Sequence, residues 1–236
     1  LSSVVVENFV DGRNYWYKSG KNPSGTSYGI VRHYSDMWLD IMFCKATGVK
    51  LLTDDVYKAN YEYIYLFNPD TVHFRESDDN WYQTGGTNIS DYKDKTMYAD
   101  LILSSSQLKD GYLKAKALKM EEWIRKQTPT ASSPYLNVPW NYSHTQFTPV
   151  QYLILNDPDV MGNDISELPK SYYMGEPDGT MLARTGWDYG YQTDVATAFM
   201  KIGGQQLYNH NHFDYGTFQI HYKGSLLQDL GIYTYT

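Results

Sequence analysis

The order of the hydrophobic patterns along the chain is the feature that most constrains its fold. Apolar residues recur at helical spacing through the first two-thirds of the sequence, and short strand-like segments separated by glycines follow from about residue 179. Helices that come first and strands that come afterwards predict separate helical and sheet layers, because a parallel α/β fold alternates the two. We therefore predict an α+β chain, with a helical portion over residues 1–175 and the first strands of a sheet domain over residues 176–236.

Capping residues and helix breakers mark the ends of five predicted helices. The predicted starts are Ser35, Thr53, Asp94, Asp110 and Pro149. Gly48 is predicted to end the first helix, because glycine readily adopts the left-handed conformation that follows a helix. The predicted strands cover residues 180–183, 194–202, 218–222 and 226–233.

Charge and hydropathy argue against two broad classes of protein. The formal net charge is -7, whereas a nucleic-acid binder usually carries a basic face. No stretch approaches the roughly 20 apolar residues of a membrane-spanning helix. An acidic polymer remains an acceptable ligand, because a local cluster of Arg, His and Tyr can bind carboxylates within an acidic protein. The 24 Tyr and 6 Trp favour sugar binding only modestly, since aromatic residues also fill protein cores.

Two clusters of residues are typical of functional sites. In the segment YNHNHFD, His210, His212 and Asp214 would share one face of an extended strand, and His and Asp are natural zinc ligands. A pair of hydrogen-bonded structural histidines is the alternative. In the segment GTSYGIVR, Tyr28 precedes Arg32 by four residues, so the cation could favour a phenolate and also bind a substrate carboxylate. A third segment, ARTGW, is interpreted as a strand end followed by a turn.

These segments together resemble the heparinase II/III-like polysaccharide lyases, heparinase II among them. That family carries five motifs in the order found here, and the similarity is strongest within them. The matching segments are GTSYGIVR at 25–32, ARTGW at 183–187, NHNHFD at 209–214, FQIHYKG at 218–224 and DLGIY at 229–233.

The resemblance implies a fold, a reaction and a location. The fold would be the later helices of an α/α toroid followed by the start of an antiparallel β-sandwich. The reaction would be β-elimination on a uronic-acid-containing glycosaminoglycan similar to heparin or heparan sulfate. The partner would thus be an acidic polysaccharide, with neither nucleic acid nor membrane bound, and a homodimer is left open. The location would be periplasmic or secreted.

The resemblance also assigns roles to individual residues. Tyr28 matches the catalytic tyrosine, which acts as base at C5 and as acid at O4 of the sugar. His210 matches the active-site histidine, whose intrinsic pKa suits a second base. Asn209 would hold the substrate carboxylate, Arg32 would contact the substrate, and Tyr233 would contact the sugar.

The resemblance further implies a structural zinc ion. His212 and Asp229 match two of its ligands, and the third is expected beyond residue 236. A further catalytic histidine and a glutamate of the family are expected before residue 1, so the chain alone should be inactive. If Lys223 and Gly224 form a tight turn, His212 can approach Asp229 only where the chain bends near residues 214–216, a bend that Gly216 permits.

Three alternatives to this function remain open. The first is a lyase with the same mechanism on another polyuronate, such as alginate. The second is a non-catalytic carbohydrate-binding relative, which would bind sugar without turnover. The third is a metallohydrolase that uses the His/Asp cluster, whose activity would disappear with a chelator and survive the substitution Tyr28→Phe.

Overall fold

The structure, a computed structural model, describes residues 6–22, 25, 28–74, 92–127, 149–204 and 214–227. Within them, helices precede a five-stranded antiparallel sheet, so the predicted α+β class is confirmed. After a π-helical turn (Val6–Val10) the helices are α1 (Asp11–Tyr17), α2 (Tyr28–Thr47), α3 (Asp55–Lys58), α4 (Glu62–Tyr65), α5 (Tyr92–Leu108), α6 (Gly111–Gln127) and α7 (Pro149–Leu155). Across these ranges no helix combines the length and the apolar character needed to cross a membrane.

Local capping signals explain several helix ends. Asp110 lies just before α6, and its carboxylate accepts hydrogen bonds from the backbone N–H groups of Tyr112 and Leu113, as an N-cap does. Gly48 follows α2 with a φ of 75°, and its N–H donates to the carbonyl of Cys44, so the predicted end is confirmed. The predicted start of that helix at Ser35 is wrong, because α2 already begins two turns earlier.

The helical layer is built around α5, which packs against both α2 and α6. Its buried face carries Leu101, and Leu113 from α6 and Met37 from α2 are equally inaccessible to solvent. Polar groups are also enclosed there. The amide of Asn60 donates to the hydroxyl of Ser104, so this buried amide nitrogen has the hydrogen bond that burial requires.

The sheet is a meander in which each strand pairs with the next in sequence. The strands are β1 (Ser171–Met174), β2 (Thr180–Arg184), β3 (Ala196–Lys201), β4 (Phe218–Tyr222) and β5 (Ser225–Leu227). The sequence did not predict β1, which places the beginning of the sheet five residues before residue 176. Lys223 and Gly224 both have positive φ and form the tight turn between β4 and β5, closed by a hydrogen bond from the N–H of Tyr222 to the carbonyl of Gly224.

The two faces of the sheet differ in a way that matters for function. The inner face, toward the helices, buries mostly polar side chains along β2, β3 and β4: Thr180, Arg184, Thr197, Lys201, Gln219 and His221. The outer face carries a row of apolar residues paired across four strands, in the order Tyr173, Met181, Met200 and Phe218. Three of these, Tyr173, Met200 and Phe218, are 59%, 41% and 50% exposed.

Aromatic rings join the helical layer to the sheet. Tyr65 of α4 stacks on Tyr172 of β1 at 5.1 Å between ring centroids and meets Trp187 edge-on at 5.2 Å. Trp123 of α6 lies 5.0 Å from Tyr189 in the segment after β2. Such pairs stabilise an interface beyond the area they bury. Part of the unusual aromatic content of the chain therefore serves packing.

Candidate functional site

The predicted site residues fall mostly outside the described parts of the chain. Arg32 is half-buried on α2, one turn after Tyr28, and residues four apart share a helix face. The backbone of Tyr28 is the first residue of that helix, and its side chain lies outside the description. The remaining predicted residues also lie outside it: Asn209, His210, His212, Asp229 and Tyr233.

The start of α2 is held by a side chain from the preceding loop. The buried Asn22 donates from its amide nitrogen to the carbonyl of Gly29, at 2.7 Å. Its own carbonyl accepts the N–H of Gly25, which has a φ of 71° that favours glycine. Asn22 thus fixes the loop on one side of Tyr28 to the first turn of the helix on the other.

The residue before Asn22 enters a buried ionic cluster. The ammonium of Lys21 lies 2.9 Å from Oδ2 of Asp178 and 3.7 Å from Oε1 of Glu62. It also donates to the hydroxyl of Thr180 at 3.1 Å, and that hydroxyl donates to Asp178 at 3.0 Å. The side chains of Lys21, Glu62 and Asp178 are only 1%, 1% and 5% exposed, so each charge depends on the others for compensation.

The segment at 205–213, which holds Asn209, His210 and His212, is flanked on its N-terminal side by the same cluster. At Gly204 an added Cβ would lie 2.1 Å from the carbonyl oxygen of Asp178, so the two backbones touch. At Gly179 an added Cβ would lie 1.6 Å from the carbonyl oxygen of Gly203, and this glycine has a φ of 72°. Only glycine allows the end of β3 to approach the β1–β2 turn so closely.

The C-terminal flank of that segment is held by a second, partly buried ion pair. The ammonium of Lys201, 1% exposed, lies 2.6 Å from Oδ1 of Asp214. Lys201 is the register partner of Thr180 on β2, so this pair adjoins the Lys21 cluster across the sheet. Partial burial raises the pKa of the neighbouring Tyr215 phenol, and the carboxylates of Asp178 and Asp214 raise it further. Both flanks of 205–213 therefore meet the cluster that precedes Tyr28.

The chain bends where zinc binding would require it to bend. The N–H of Thr217 donates to the carbonyl of Asp214, and Gly216 has a φ of 88°, so residues 214–217 form a turn. The bend permitted by Gly216 is confirmed. Asp214 opens this turn, and its Oδ1 pairs with the ammonium of Lys201.

No zinc site can be assembled from the described residues. Among those residues, no three His, Cys, Asp or Glu side chains come together in a metal-binding group. The two expected ligands, His212 and Asp229, lie outside them. The zinc ion therefore remains a prediction from the resemblance.

Two other histidines have structural roles. His33, next to Arg32 in sequence, is fully buried, and its Nε2 lies 2.5 Å from the carbonyl oxygen of Val56. Burial lowers the pKa of His33 to about 4, which leaves the ring neutral at physiological pH. His221 is buried on the inner sheet face with its Nε2 2.9 Å from Oδ2 of Asp70.

The ARTGW segment is the end of a strand, as its sequence suggested. Arg184 is the last residue of β2 and donates from Nε to the carbonyl of Gly186 at 2.6 Å. Its guanidinium also lies 4.4 Å from the ring of Trp187. Arg184 therefore stabilises the bend after the strand, and its 5% exposure keeps it from contact with a polymer.

An open cavity of about 460 Å³ lies beside the turn between α5 and α6. It is lined by Lys109, Gly111, Asp157, Asp159, Val160, Met161 and Asn163. None of these is a predicted site residue, and Lys109 and Asp157 already form an ion pair with each other. The cavity therefore adds nothing to the candidate site.

Sequence analysis missed the charged residues that hold the site segments in place. Lys21, Glu62 and Asp178 come from a loop, a short helix and a strand connection, and no local spacing links them. The Pro-Asp-Gly sequence at 177–179 was a usable signal for a tight turn, although not for a buried carboxylate.

Comparison of the chain with models of known protein families and with curated proteins found no match in either case. The resemblance to the lyases accordingly rests on the motif residues themselves. What the structure adds is the arrangement of the segments that flank those motifs.

Proposed function

We propose that this chain is part of a polysaccharide lyase. The enzyme would cleave a uronic-acid-containing glycan, similar to heparin or heparan sulfate, by β-elimination. The observation that carries the proposal is that the residues next to Tyr28 and the residues next to the segment 205–213 lie close together. The buried cluster around Lys21 adjoins Asn22, which lies just ahead of Tyr28. The same cluster adjoins Gly204 and Asp214, which lie on either side of residues 205–213. Two segments that the motifs mark as catalytic are thus anchored at a common point.

The chemistry asks for three actions at one sugar ring. The base removes the proton at C5, the bond from C4 to the leaving oxygen breaks as the C4–C5 double bond forms, and the oxygen receives a proton. The C5 proton becomes acidic only when the charge of the neighbouring carboxylate is offset. In the proposal, Asn209 and Arg32 offset that charge, and Tyr28 removes the proton at C5 and protonates O4. His210 is the second candidate base, and Tyr233 contacts the sugar.

The position of Tyr28 suits this role. It begins a 20-residue helix, and the first turn contains no acidic side chain. The N–H groups at a helix start favour nearby negative charge, by roughly 0.3–1 kcal/mol. Both a phenolate and a substrate carboxylate would benefit, and the guanidinium of Arg32 one turn later adds to the effect.

The finer fold, an α/α toroid followed by a β-sandwich, is part of the proposal. The apolar outer face of the sheet supports the sandwich, because such a face is normally covered by a second sheet. In the full-length parent protein, Met200 should therefore resist oxidation by peroxide, whereas Met161, 74% exposed beside α7, should react. Equal reactivity of the two methionines in the parent would contradict the sandwich.

The function is tested with the full-length parent, as wild type and as Tyr28→Phe. The absorbance of the unsaturated uronate product would be followed on heparin, heparan sulfate, chondroitin sulfate and alginate. We expect activity on at least one polymer, and a loss of about 10²–10⁴-fold in the Phe variant with sugar binding retained. Tyr34→Phe is the matched control, because Tyr34 is a buried tyrosine on the same helix. It should retain activity.

Each alternative function predicts a different result in this experiment. Activity confined to alginate would replace the glycosaminoglycan with another polyuronate. Sugar binding without any absorbance would favour the non-catalytic relative and sink the lyase proposal. Activity that survives Tyr28→Phe and disappears with a chelator would favour the metallohydrolase.

A further inference from the structure

The cluster of Lys21, Glu62 and Asp178 joins three parts of the chain that are distant in sequence. Lys21 precedes the loop to α2, Glu62 begins α4, and Asp178 lies in the turn between β1 and β2. The ammonium of Lys21 contacts both carboxylates, and the hydroxyl of Thr180 bridges Lys21 and Asp178. Hydrogen bonds thereby connect Lys21 to the sheet, and Glu62 adds a charge contact from the helical layer at 3.7 Å.

We propose that this cluster is a positioning device, which sets the distance between the segment carrying Tyr28 and the segment carrying His210. The inference rests on the proposed lyase function. On the helical side, the neighbour of Lys21, Asn22, bonds to the first turn of α2. On the sheet side, the backbone of Asp178 touches Gly204, the last described residue before 205–213.

Stability alone does not account for such a cluster. A buried ion pair costs several kcal/mol of desolvation per charge, and apolar residues of similar volume often stabilise a protein as well or better. Its geometry, in contrast, is strict, since the hydroxyl of Thr180 accepts from Lys21 at 3.1 Å while donating to Asp178 at 3.0 Å. A contact of this kind fixes relative position more narrowly than apolar packing does.

A positioning role makes a specific kinetic prediction. Groups that transfer protons at one ring must be held to within a fraction of an ångström, and a misplacement of about 1 Å can cost about 10²-fold in rate. The substrate-binding surface as a whole would change little. Damage to the cluster should therefore lower kcat and leave KM nearly unchanged.

The test compares two threonine-to-valine substitutions on the inner sheet face of the full-length parent. Thr180→Val removes the hydroxyl that bridges Lys21 and Asp178. Thr197→Val is the matched control, because Thr197 is equally buried on β3 and donates to the amide oxygen of Asn68 instead. Asp178→Asn is the stronger third variant.

Two readouts apply to all three variants. For Thr180→Val we expect a fall in kcat of about tenfold or more with KM within threefold, and for Thr197→Val less than twofold in either constant. In hydrogen exchange, residues 28–30, 201–204 and 214–217 should lose protection together in Thr180→Val and Asp178→Asn, and should retain it in Thr197→Val.

The two proposals can fail separately. If the wild type yields no unsaturated product on any polymer, the lyase function fails, and hydrogen exchange alone still decides the positioning role. If the wild type is active but Thr180→Val and Thr197→Val lose equal activity or equal protection, the cluster is merely structural and the inference is overturned. Should Asp178→Asn fail to fold, the two valine variants remain decisive.

Discussion

The close approach of Gly179 to Gly203 gives the sharpest stability prediction. In Gly179→Ala, the new Cβ would lie 1.6 Å from the carbonyl oxygen of Gly203, against about 3.4 Å for an ordinary contact. The end of β3 must then retreat by about 1.8 Å, the difference between these two distances. That movement breaks the hydrogen bond from the N–H of Ile202 to the carbonyl of Gly179, now 2.8 Å long.

The magnitude follows from two contributions. Holding an alanine at a φ of 72° costs about 1–2 kcal/mol, because its Cβ crowds the following carbonyl. Leaving the carbonyl of Gly179 or the N–H of Ile202 without its partner costs a further 1–3 kcal/mol or so. We therefore expect Gly179→Ala to lower the free energy of unfolding by roughly 2–5 kcal/mol.

Gly48→Ala provides a matched control. Gly48 has a φ of 75°, almost the same as Gly179, and an added Cβ there would meet nothing within 4 Å. Its cost should be the conformational part alone, about 1–2 kcal/mol. Urea denaturation would measure the free energy of unfolding of both variants and of the wild type. The difference between the two variants gives the cost of the clash, which should be about 1–3 kcal/mol, or roughly 2–12 °C in Tm. Equal destabilisation by the two substitutions would refute the close approach.

Two buried titratable groups predict opposite pH dependences. The folded-state pKa of His33 is lowered to about 4, so the unfolded chain binds this proton first as the pH falls, and this residue alone should contribute a loss of about 3 kcal/mol between pH 6.5 and 4. His33→Gln should lack that loss in denaturation measured across this range, and a curve parallel to that of the wild type would count against the assignment. Burial raises the pKa of Asp100 well above its usual value, so here the folded protein binds the proton first as the pH falls. Asp100→Asn should therefore be more stable than the wild type at pH 8, with the gain gone below about pH 4, and a variant no more stable than the wild type at pH 8 would contradict it.

The helix ends show which local signals the sequence carries. Asp110 before α6, Pro149 at the start of α7 and Gly48 after α2 act through their own backbone or the next turn, and all three were predicted. The start of α2 was missed because its first turn is held from outside the helix, by the side chain of Asn22. This amide donates to a carbonyl and so does not cap the N–H groups of the helix start, and a contact from a preceding loop leaves no pattern at the helix itself.

The sheet departs from the usual rule that apolar residues face the core. Alternation on β3 would place Met200 inside and Lys201 outside, whereas the structure has Lys201 inside and Met200 41% exposed. The inner face tolerates polar groups because the helical layer supplies their partners, such as Asn68 for Thr197 and Lys21 for Thr180. Those partners are more than 100 residues away in sequence, so the pattern of one strand cannot reveal them.

The positions of the tyrosines show how little the tyrosine content alone indicates about sugar binding. Among the described residues, six tyrosines are buried in the helical layer and its contact with the sheet: Tyr17, Tyr34, Tyr57, Tyr63, Tyr65 and Tyr98. Of the exposed tyrosines, Tyr173 and Tyr222 lie on the outer sheet face, which the proposed sandwich would cover, and Tyr15 and Tyr191 lie outside the sheet. A Tyr-rich composition therefore says little by itself about a sugar cleft. The case for the lyase depends on Tyr28, His210 and the contacts that flank their segments, and it stands or falls with the activity of the wild type and of Tyr28→Phe.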